Sequence, residues 1–309
     1  MSHPAVWPWA LGSAQGREFS RALGCIVRHT QGLPLTGWES SIRLSPGQVR
    51  PNRLLLGFSP QGVADQRVLG LPAALGMPPV AARAFESYGL SARAILLAAE
   101  MGQSHIELKA YLQFDPALPA PVPGLLMRGY KWHPAPAVSA SDAARDATAN
   151  ATPEALPARV SDYFALHQTT PEVMALLRLR AGVPERAHPA YALAEYALHC
   201  ALARHPVGLH PDVWVVSEQG SQRASYCVRL YESGLCLADL WPGLAALSGA
   251  WSLQDRLNQE VLKSMGPRAL GWIAAGLDGR GDPFVTLYCE ASRSDAWQVM
   301  TLGEMYEQK

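Results

Sequence analysis

Long stretches of the chain alternate apolar and polar residues with the period of two that is typical of a β-strand. In HIELKAYLQF, residues 105–114, one face is wholly apolar, and the other carries Glu107, Lys109 and Tyr111. The same kind of pattern predicts ten strands. They are residues 38–44, 52–58, 91–99, 105–114, 125–132, 159–166, 212–218, 224–231, 269–277 and 283–290.

Helical periodicity fills several of the stretches between pairs of strands. The candidate helices are residues 13–29, 66–88, 171–182, 188–204, 237–248 and 252–265. Strands joined by short turns, such as DGRGD at 278–282, indicate antiparallel hairpins, and helices between hairpins indicate a layer over one face of the sheet. Ten strands are near the limit of an open twisted sheet, so we expect closure into a barrel.

Residues 134–158 are rich in Ala, Pro, Ser and Thr and show no apolar period. Because the patterns on both sides of this segment look alike, we predict a flexible insertion rather than a domain boundary. The chain is therefore expected to form a single domain over residues 1–309, with the insertion at about 134–158.

Composition excludes several classes of protein. The 309 residues are 49% hydrophobic and carry a formal net charge of zero, which gives no reason to expect binding to nucleic acid or to an anionic membrane. No apolar run approaches the ~20 residues of a membrane span, and the N-terminus lacks the features of a signal peptide. The five cysteines are widely spaced, without metal-site spacing, so we expect a cytoplasmic protein with reduced thiols.

Several predicted strands combine an aliphatic face with a face of basic, acidic and tyrosine residues. The residues on these polar faces are Glu39, Arg43, Arg53, Lys109, Tyr111, Tyr163, Arg229, Tyr231 and Tyr288. Such a face either contacts solvent or lines the lumen of a barrel. Tyrosines among cations, with little acid, favour the lumen, because Arg and Lys bind phosphate oxygens and tyrosine rings shelter a carbocation.

Four segments together resemble the soluble aromatic prenyltransferases of the ABBA, or PT-barrel, family. LPLTGWESSIRL with RPNRLLLGF resembles the family's opening hairpin, and LKAYL resembles its K-x-Y strand. CVRLY resembles the next strand with a cation and a tyrosine, and VTLYCE resembles the last strand. The resemblance implies an α/β fold of five ααββ repeats, in which a ten-stranded antiparallel barrel holds the active site and the helices lie outside.

The resemblance also implies roles for eight residues. It makes Glu39 the catalytic acid/base. The remaining roles are diphosphate binding by Arg53, Lys109 and Arg229, and shielding of the prenyl cation by Tyr111, Tyr163, Tyr231 and Tyr288. CVRLY departs from the pattern of the indole enzymes, which usually have a further cation where this chain has Cys227. The diphosphate site is then either less positive or completed by Arg43.

Chain length and the ending GWIAAGLDGRGDPFVTLY most resemble the short cyanobactin-type peptide prenyltransferases. The implied reaction moves a dimethylallyl or geranyl group from its diphosphate to an aromatic or other nucleophilic side chain of a peptide, often cyclic. Mg²⁺ is the implied cofactor, and no organic cofactor is expected. The chain has no DDxxD motif, and DAARD at 142–146 spaces its acids differently, so Mg²⁺ would be held mainly by the diphosphate and water.

Two other functions remain open at the level of sequence. The same reaction could act on a small aromatic metabolite such as an indole or a phenol. Alternatively, the barrel binds an isoprenoid diphosphate without turnover. Individual residues also have ordinary structural alternatives: Glu39 as an exposed strand carboxylate, Lys109 with Tyr111 as a solvent-facing pair, and Tyr288 as a cross-strand packing residue.

Overall fold

The computed structural model describes residues 35–58, 67–101, 106–117, 120, 122–133, 158–166, 170–180, 182–204, 211–253 and 267–290, and the isolated residues 19, 24, 26, 30 and 33. Its main feature is a closed barrel. The ten strands are β1 (Leu35–Ser45), β2 (Gln48–Phe58), β3 (Ala94–Met101), β4 (Ile106–Gln113), β5 (Leu125–Trp132), β6 (Arg159–Leu166), β7 (Val213–Glu218), β8 (Ala224–Arg229), β9 (Leu270–Leu277) and β10 (Pro283–Glu290).

Each strand pairs with its neighbours in the sequence, and every pair is antiparallel. Pairing of β1 with β10 closes the circle, so that Glu39 lies opposite both Leu55 of β2 and Glu290 of β10. Closure leaves no free sheet edge. The predicted ten-stranded antiparallel barrel is thus confirmed.

Helices pack against the outside of the barrel. They are α1 (Arg67–Ala74), α2 (Pro79–Gly89), α3 (Pro171–Arg180), α4 (His188–Arg204) and α5 (Trp241–Trp251). The longest, α4, buries a face of small and aliphatic residues that includes Ala194 and Leu198, in one apolar cluster with Val228, Ile273 and Val285 of the barrel. Small residues on this face let the helix approach the sheet closely.

A second apolar cluster joins α1 and α2 to strands β2–β5. Phe85 of α2 is fully buried there and contacts Tyr130 edge-on, with ring centroids 5.6 Å apart. Leu56 and Leu108 belong to the same cluster. The aliphatic strand faces found by alternation therefore point outward to the helices, and the polar faces point into the lumen.

The hairpin turns use the residues that tight turns require. Gly47, between β1 and β2, has a φ of +68°, and Gly281, between β9 and β10, has a φ of +82°. In the second turn the Asp278 carboxylate accepts hydrogen bonds from the backbone N–H groups of Arg280 at 3.0 Å and Asp282 at 3.1 Å. These bonds fix the hairpin that the DGRGD sequence predicts.

The structure corrects three boundaries. The predicted helix at 66–88 is two helices, because Gly76, with a φ of +80°, and Pro78 interrupt it. The predicted helix at 237–248 begins as the 3₁₀ turn Leu237–Leu240. The predicted strand at 224–231 ends at Arg229, and Tyr231 begins the 3₁₀ turn Tyr231–Ser233.

Some predictions fall largely outside the described residues. These are the helices at 13–29 and 252–265, the insertion at 134–158 and the start of the strand at 105. Single-domain organisation likewise stays a prediction. Within the part of the chain that the structure describes, no helix has the length and apolar character needed to cross a membrane.

Candidate active site

The lumen contains two cavities that meet in the middle of the barrel. The larger has a volume of about 920 Å³, and charged residues make up nearly half of its lining; we call it the charged cavity. The smaller has a volume of about 380 Å³ and is lined mostly by tryptophan, tyrosine and apolar side chains, with Glu39, Arg53, Arg93, Asp212 and Arg229 as its charged residues; we call it the aromatic cavity. Four side chains border both cavities and form what we call the tyrosine layer. They are Arg53, Tyr111, Tyr163 and Tyr288.

The tyrosine layer is held together by its arginine. Arg53, on β2, donates one hydrogen bond to the Tyr288 hydroxyl and another to the Tyr111 hydroxyl, each at 2.9 Å. Its guanidinium also lies over the Tyr288 ring, 4.9 Å from the centroid. The rings of Tyr111 and Tyr163 meet edge-on at 6.3 Å. The third guanidinium nitrogen, Nε of Arg53, is buried and has no hydrogen-bond partner among the described residues.

A glycine on β5 makes room for this layer. Gly129 pairs with Tyr111 across the β4–β5 ladder, and a Cβ at Gly129 would lie 2.7 Å from Cδ1 and Cε1 of the Tyr111 ring. Real Cβ contacts are essentially never that short. The missing side chain therefore lets the Tyr111 ring lie across β5, where its hydroxyl meets Arg53.

The charged cavity contains more cations than carboxylates. Its basic side chains are Arg43, Arg50, Arg53, Lys109, Lys131, Arg159, Arg223 and Arg280. Its carboxylates are Glu100, Glu107, Glu218, Asp278 and Asp282. Such an excess of positive charge in a partly enclosed space favours a multiply charged anion.

Lys109 lies at the centre of one charged group. It is 6% exposed and forms ion pairs with Glu100 of β3 and with Glu107 of its own strand. Burial alone would lower the pKa of Lys109, but the two carboxylates raise it, so the ammonium stays charged. Burial likewise opposes ionisation of Glu100, yet Lys109 and Arg53 lower its pKa to about 2.

A second charged group surrounds Glu218 at the end of β7. Its carboxylate accepts hydrogen bonds from the Lys131 ammonium and from the Ser161 hydroxyl at 2.9 Å. Arg159 and Arg223 lie 3.4 and 3.7 Å from its oxygens. Burial and the nearby Arg223 lower the pKa of Lys131, against the effect of Glu218, so this cation is crowded by other cations.

Sequence reasoning did not place Lys131, Arg159 and Arg223 in the charged cavity. A usable signal was present, because alternation places Lys131 on the same strand face as Gly129, and Arg159 on the same face as Tyr163. By contrast, Arg43, considered from the sequence as a substitute cation, does line the charged cavity. It donates to Asp278 at 2.7 Å and lies 4.3 Å from the centre of the Phe284 ring.

The aromatic cavity is built around a pair of tryptophans. The rings of Trp214 and Trp272 lie 4.5 Å apart, and Trp214 also meets Tyr163 of the tyrosine layer at 6.3 Å. Cys227 lies in the same luminal cluster, and burial raises the pKa of its thiol to about 11, so it remains protonated near neutral pH. Flat aromatic walls of this kind suit a flat aromatic ligand.

Glu39 is a carboxylate that lines this aromatic cavity, from β1. Burial raises its pKa, and the Tyr231 hydroxyl and the positive charge of Arg53 act in the opposite direction. The Tyr231 hydroxyl donates a hydrogen bond to Oε1 of Glu39. A carboxylate with a raised pKa at the wall of a cavity has the properties of a proton acceptor.

The structure separates the three predicted diphosphate ligands. It places Arg53 and Lys109 along the charged cavity, but it places Arg229 at the edge of the aromatic cavity. There Arg229 is 39% exposed and forms ion pairs with Asp212 at 3.3 Å and Glu232 at 2.5 Å. Arg229 therefore does not lie with the other two cations.

The four predicted shielding tyrosines are also divided. Tyr111, Tyr163 and Tyr288 meet in the tyrosine layer. Tyr231 lies outside it, because the chain leaves β8 at Leu230 and turns, which places Tyr231 beside Glu39 and leaves it 36% exposed.

Carboxylates of the charged cavity do not fit a magnesium site made by protein side chains alone. Four of them pair with basic side chains: Glu100 and Glu107 with Lys109, Glu218 with Lys131, and Asp278 with Arg43. Across the described ranges, no three His, Cys, Asp or Glu side chains lie close enough together to hold a metal ion. The predicted Mg²⁺, held mainly by the diphosphate, stays a prediction.

No protein-family model and no curated protein matches this chain. Among solved structures, 5-dimethylallyltryptophan synthase from Streptomyces coelicolor is similar, with a TM-score of 0.51 and 12% identity, over 91% of this chain and 98% of that one. AnaPT from Neosartorya fischeri gives a TM-score of 0.43 and 13% identity, over 82% of this chain and 78% of that one. NotF in complex with brevianamide F and DMSPP gives a TM-score of 0.46 and 12% identity, over 94% of this chain and 98% of that one. With its closed antiparallel barrel and its similarity to the first of these structures, the chain has the fold of the ABBA, or PT-barrel, prenyltransferases.

Proposed function

We propose that the protein is a prenyltransferase that moves a prenyl group from its diphosphate to an aromatic or other nucleophilic acceptor. The observation that carries the proposal is the arrangement of the lumen along its length. A cavity with excess positive charge, a layer of tyrosines around one arginine, and an aromatic cavity with a carboxylate follow one another. Each part matches one requirement of the reaction.

The charged cavity binds the diphosphate. Lys109, Arg53 and, in place of Arg229, Arg223 and Lys131 donate hydrogen bonds to its oxygens. Lys109 and Lys131 pair with carboxylates in the free protein. Binding of a diphosphate gives them a further anionic partner and relieves the crowding of positive charge around Lys131.

Reaction begins when the allylic C–O bond breaks and its electron pair leaves with the diphosphate. The surrounding cations stabilise the negative charge that develops on the leaving group. The allyl cation forms at the tyrosine layer, where the ring faces of Tyr111, Tyr163 and Tyr288 stabilise its positive charge and exclude water.

The acceptor binds in the aromatic cavity between Trp214, Trp272 and the tyrosine layer. Its nucleophilic atom forms the new bond to the allyl carbon, and Glu39 takes the proton that the acceptor loses. General-base assistance of this kind contributes roughly 10²–10⁴-fold to the rate.

The finer assignments belong to the same proposal. The donor is dimethylallyl or geranyl diphosphate, and the acceptor is an aromatic or other nucleophilic side chain of a peptide, often cyclic, as the sequence resemblance implies. A volume of about 380 Å³ has room for an aromatic side chain, so a peptide can insert one side chain there and keep most of its backbone outside. The same volume also suits a free indole or phenol, which is the second candidate.

The experiment that tests the proposal is product formation by the purified protein. We would supply Mg²⁺, dimethylallyl or geranyl diphosphate, and Tyr-, Trp-, His- and Arg-containing peptides together with free indoles and phenols, and measure intact masses. We expect a peptide to gain one C5 or C10 unit, and fragmentation then identifies the modified residue.

Other outcomes discriminate between the candidates. Products from small molecules alone would favour the metabolite prenyltransferase. Binding of the donor by calorimetry without any product would favour a non-catalytic barrel, and absence of donor binding would contradict the proposal. The matched control is Glu39→Gln, which should keep donor affinity and lose roughly 10²–10⁴-fold of the rate.

A further inference from the structure

Tyr231 contacts Glu39 from a distant part of the chain. Its hydroxyl donates to Oε1 of Glu39 across 192 positions of sequence. Tyr231 is not part of a strand, since it begins the short turn that follows β8. At 36% exposure it lies at the edge of the aromatic cavity, outside the tyrosine layer. This position fits a role toward Glu39 better than the predicted role as a shield for the prenyl cation.

The ring of Tyr231 packs directly against a glycine of the neighbouring strand. A Cβ at Gly271 would lie 2.5 Å from Cζ and 2.6 Å from the hydroxyl oxygen of Tyr231. Gly271 does not have a positive φ, so the backbone conformation itself does not require glycine, and the three atoms nearest to an added Cβ all belong to Tyr231. A hydrogen bond of 2.8 Å from Leu230 N–H to the Gly271 carbonyl fixes the turn against β9.

We propose that Tyr231 and Gly271 are positioning residues for Glu39: Gly271 seats the tyrosine ring, and the tyrosine hydroxyl orients the carboxylate and stabilises its ionised form. This inference deepens the proposed function and rests on Glu39 acting there as the base. Neither residue touches the reacting atoms in this scheme. Both act through the geometry and the ionisation of Glu39.

The groups that face Glu39 define the expected effect on pH dependence. They come from four elements and are Arg53 of β2, Cys227 of β8, Tyr231 of the following turn, and Glu290 of β10, and Cys289 of β10 also interacts electrostatically with Glu39. Burial raises the pKa of Glu39, Tyr231 and Arg53 lower it, and Glu290 raises it. The positive charge of Arg229 acts on Tyr231, where it opposes the rise in the pKa of the phenol.

The direction of each expected shift in the pH profile follows from the role of Glu39 as the base. A general base works as a carboxylate, so the rate rises as the pH passes the pKa of Glu39. Loss of the Tyr231 hydroxyl removes an effect that lowers this pKa and moves the rise to higher pH. Loss of the Glu290 charge removes an effect that raises the pKa and moves the rise to lower pH.

The test compares the pH profiles of kcat/KM for the unchanged protein and four variants. Tyr231→Phe keeps the ring and removes the hydroxyl, and Gly271→Ala keeps the hydroxyl and displaces the ring. Both should move the acidic limb upward by about one pH unit, with the high-pH plateau nearly preserved. Glu290→Gln should move it downward, and Gly249→Ala, at an α5 position with open space for a Cβ, should leave it in place.

A second readout does not depend on turnover. Carboxyl-¹³C NMR of glutamate-labelled protein, with the Glu39 signal identified by its loss in Glu39→Gln, follows the titration of Glu39 directly. An upward shift of that titration in Tyr231→Phe supports the inference even if no acceptor is found. An unchanged titration, or a uniform loss of rate with an unchanged acidic limb, overturns it. Failure of the proposed function shows itself separately, as absence of product or of donor binding in the unchanged protein.

Discussion

The two cavities of the lumen differ in how they handle charge. In the charged cavity nearly every carboxylate pairs with a lysine or an arginine, for example Glu100 with Lys109 and Glu218 with Lys131. In the aromatic cavity the wall is mostly apolar, and Glu39 has a tyrosine hydroxyl, not a cation, as its hydrogen-bond partner. Basic groups are thus concentrated at one end and a proton acceptor with a raised pKa lies at the other.

This difference separates two chemical requirements, for the leaving group and for the base, that would conflict within one cavity. A leaving diphosphate requires cations, and cations lower the pKa of any carboxylate nearby, as they do for Glu100. A base needs the opposite, a carboxylate that still accepts a proton. The tyrosine layer lies between the two environments, and its uncharged hydroxyls bind the one arginine that borders both cavities.

The largest loss of rate is expected from removal of Arg53, the arginine that borders both cavities. Arg53→Met should cost roughly 10²–10³-fold in rate, since a fixed donor to developing negative charge is lost. It should cost less stability than the loss of Lys109, because the hydrogen bonds of Arg53 go to neutral hydroxyls and Glu100, whose pKa Arg53 also lowers, keeps its ion pair with Lys109. The measurements are single-turnover rates with saturating donor and the thermal midpoint of unfolding.

Lys109→Met is the matched comparison for Arg53→Met. It leaves Glu100 and Glu107 without their shared cation in the lumen, and breaking a buried ion pair typically costs about 3–5 kcal/mol. We therefore expect Lys109→Met to lose both rate and thermal stability. Equal stability losses in the two variants would contradict the account of which cations pair with carboxylates.

The next largest loss of rate is expected when a single methyl group is added behind the tyrosine layer. Gly129→Ala should displace the Tyr111 ring, since its Cβ would lie 2.7 Å from two ring carbons. A misplacement of about 1 Å at a reacting centre costs roughly 10²-fold in rate. The rate of C–O cleavage should fall while donor affinity changes less. Gly249→Ala, which has open space around its Cβ, serves as the control, and equal rates in the two variants would refute this role for Gly129.

Much of the fold could be predicted because the strands follow one simple rule. A barrel strand with helices outside must carry aliphatic residues on one face, so period-two alternation located all ten strands with small boundary errors. Residues 66–88 were predicted to form a single helix because the apolar periodicity continues through Gly76 and Pro78. The helical backbone is interrupted at these two residues.

The site was predicted less completely because alternation identifies the face of a residue but not its height in the barrel. Height depends on the stagger between strands, which is a property of the closed sheet. Arg229 and Lys109 share the luminal side but line different cavities. Alternation does place Lys131 on the luminal face with Gly129, but Gly129 and Ser225 are not charged, so the sequence did not mark Lys131 or Arg223 as part of a charged cluster.

The difference in height leads to a prediction about two arginines close in sequence. Arg223→Leu should weaken donor binding by about tenfold, because Arg223 lines the charged cavity near Glu218. Arg229→Leu should leave donor binding almost unchanged, since Arg229 is exposed at the other end and paired with Asp212 and Glu232. Calorimetry with a non-reactive diphosphate analogue measures the affinity of both variants. A larger loss of affinity in Arg229→Leu than in Arg223→Leu would assign Arg229 to the donor site.

The smallest effect is expected from removal of magnesium. If Mg²⁺ were the main group that neutralises the leaving diphosphate, its removal would cost several kcal/mol, or more than roughly 10²-fold in rate. Eight basic side chains line the charged cavity, and the described carboxylates there pair mostly with them instead of forming a metal site. EDTA should therefore lower the single-turnover rate by less than about tenfold. The same treatment should cost more in Arg53→Met, because a metal bound to the diphosphate then supplies charge that the arginine no longer provides. Equal sensitivity to EDTA in both proteins would mean that metal and arginine act independently on the leaving group.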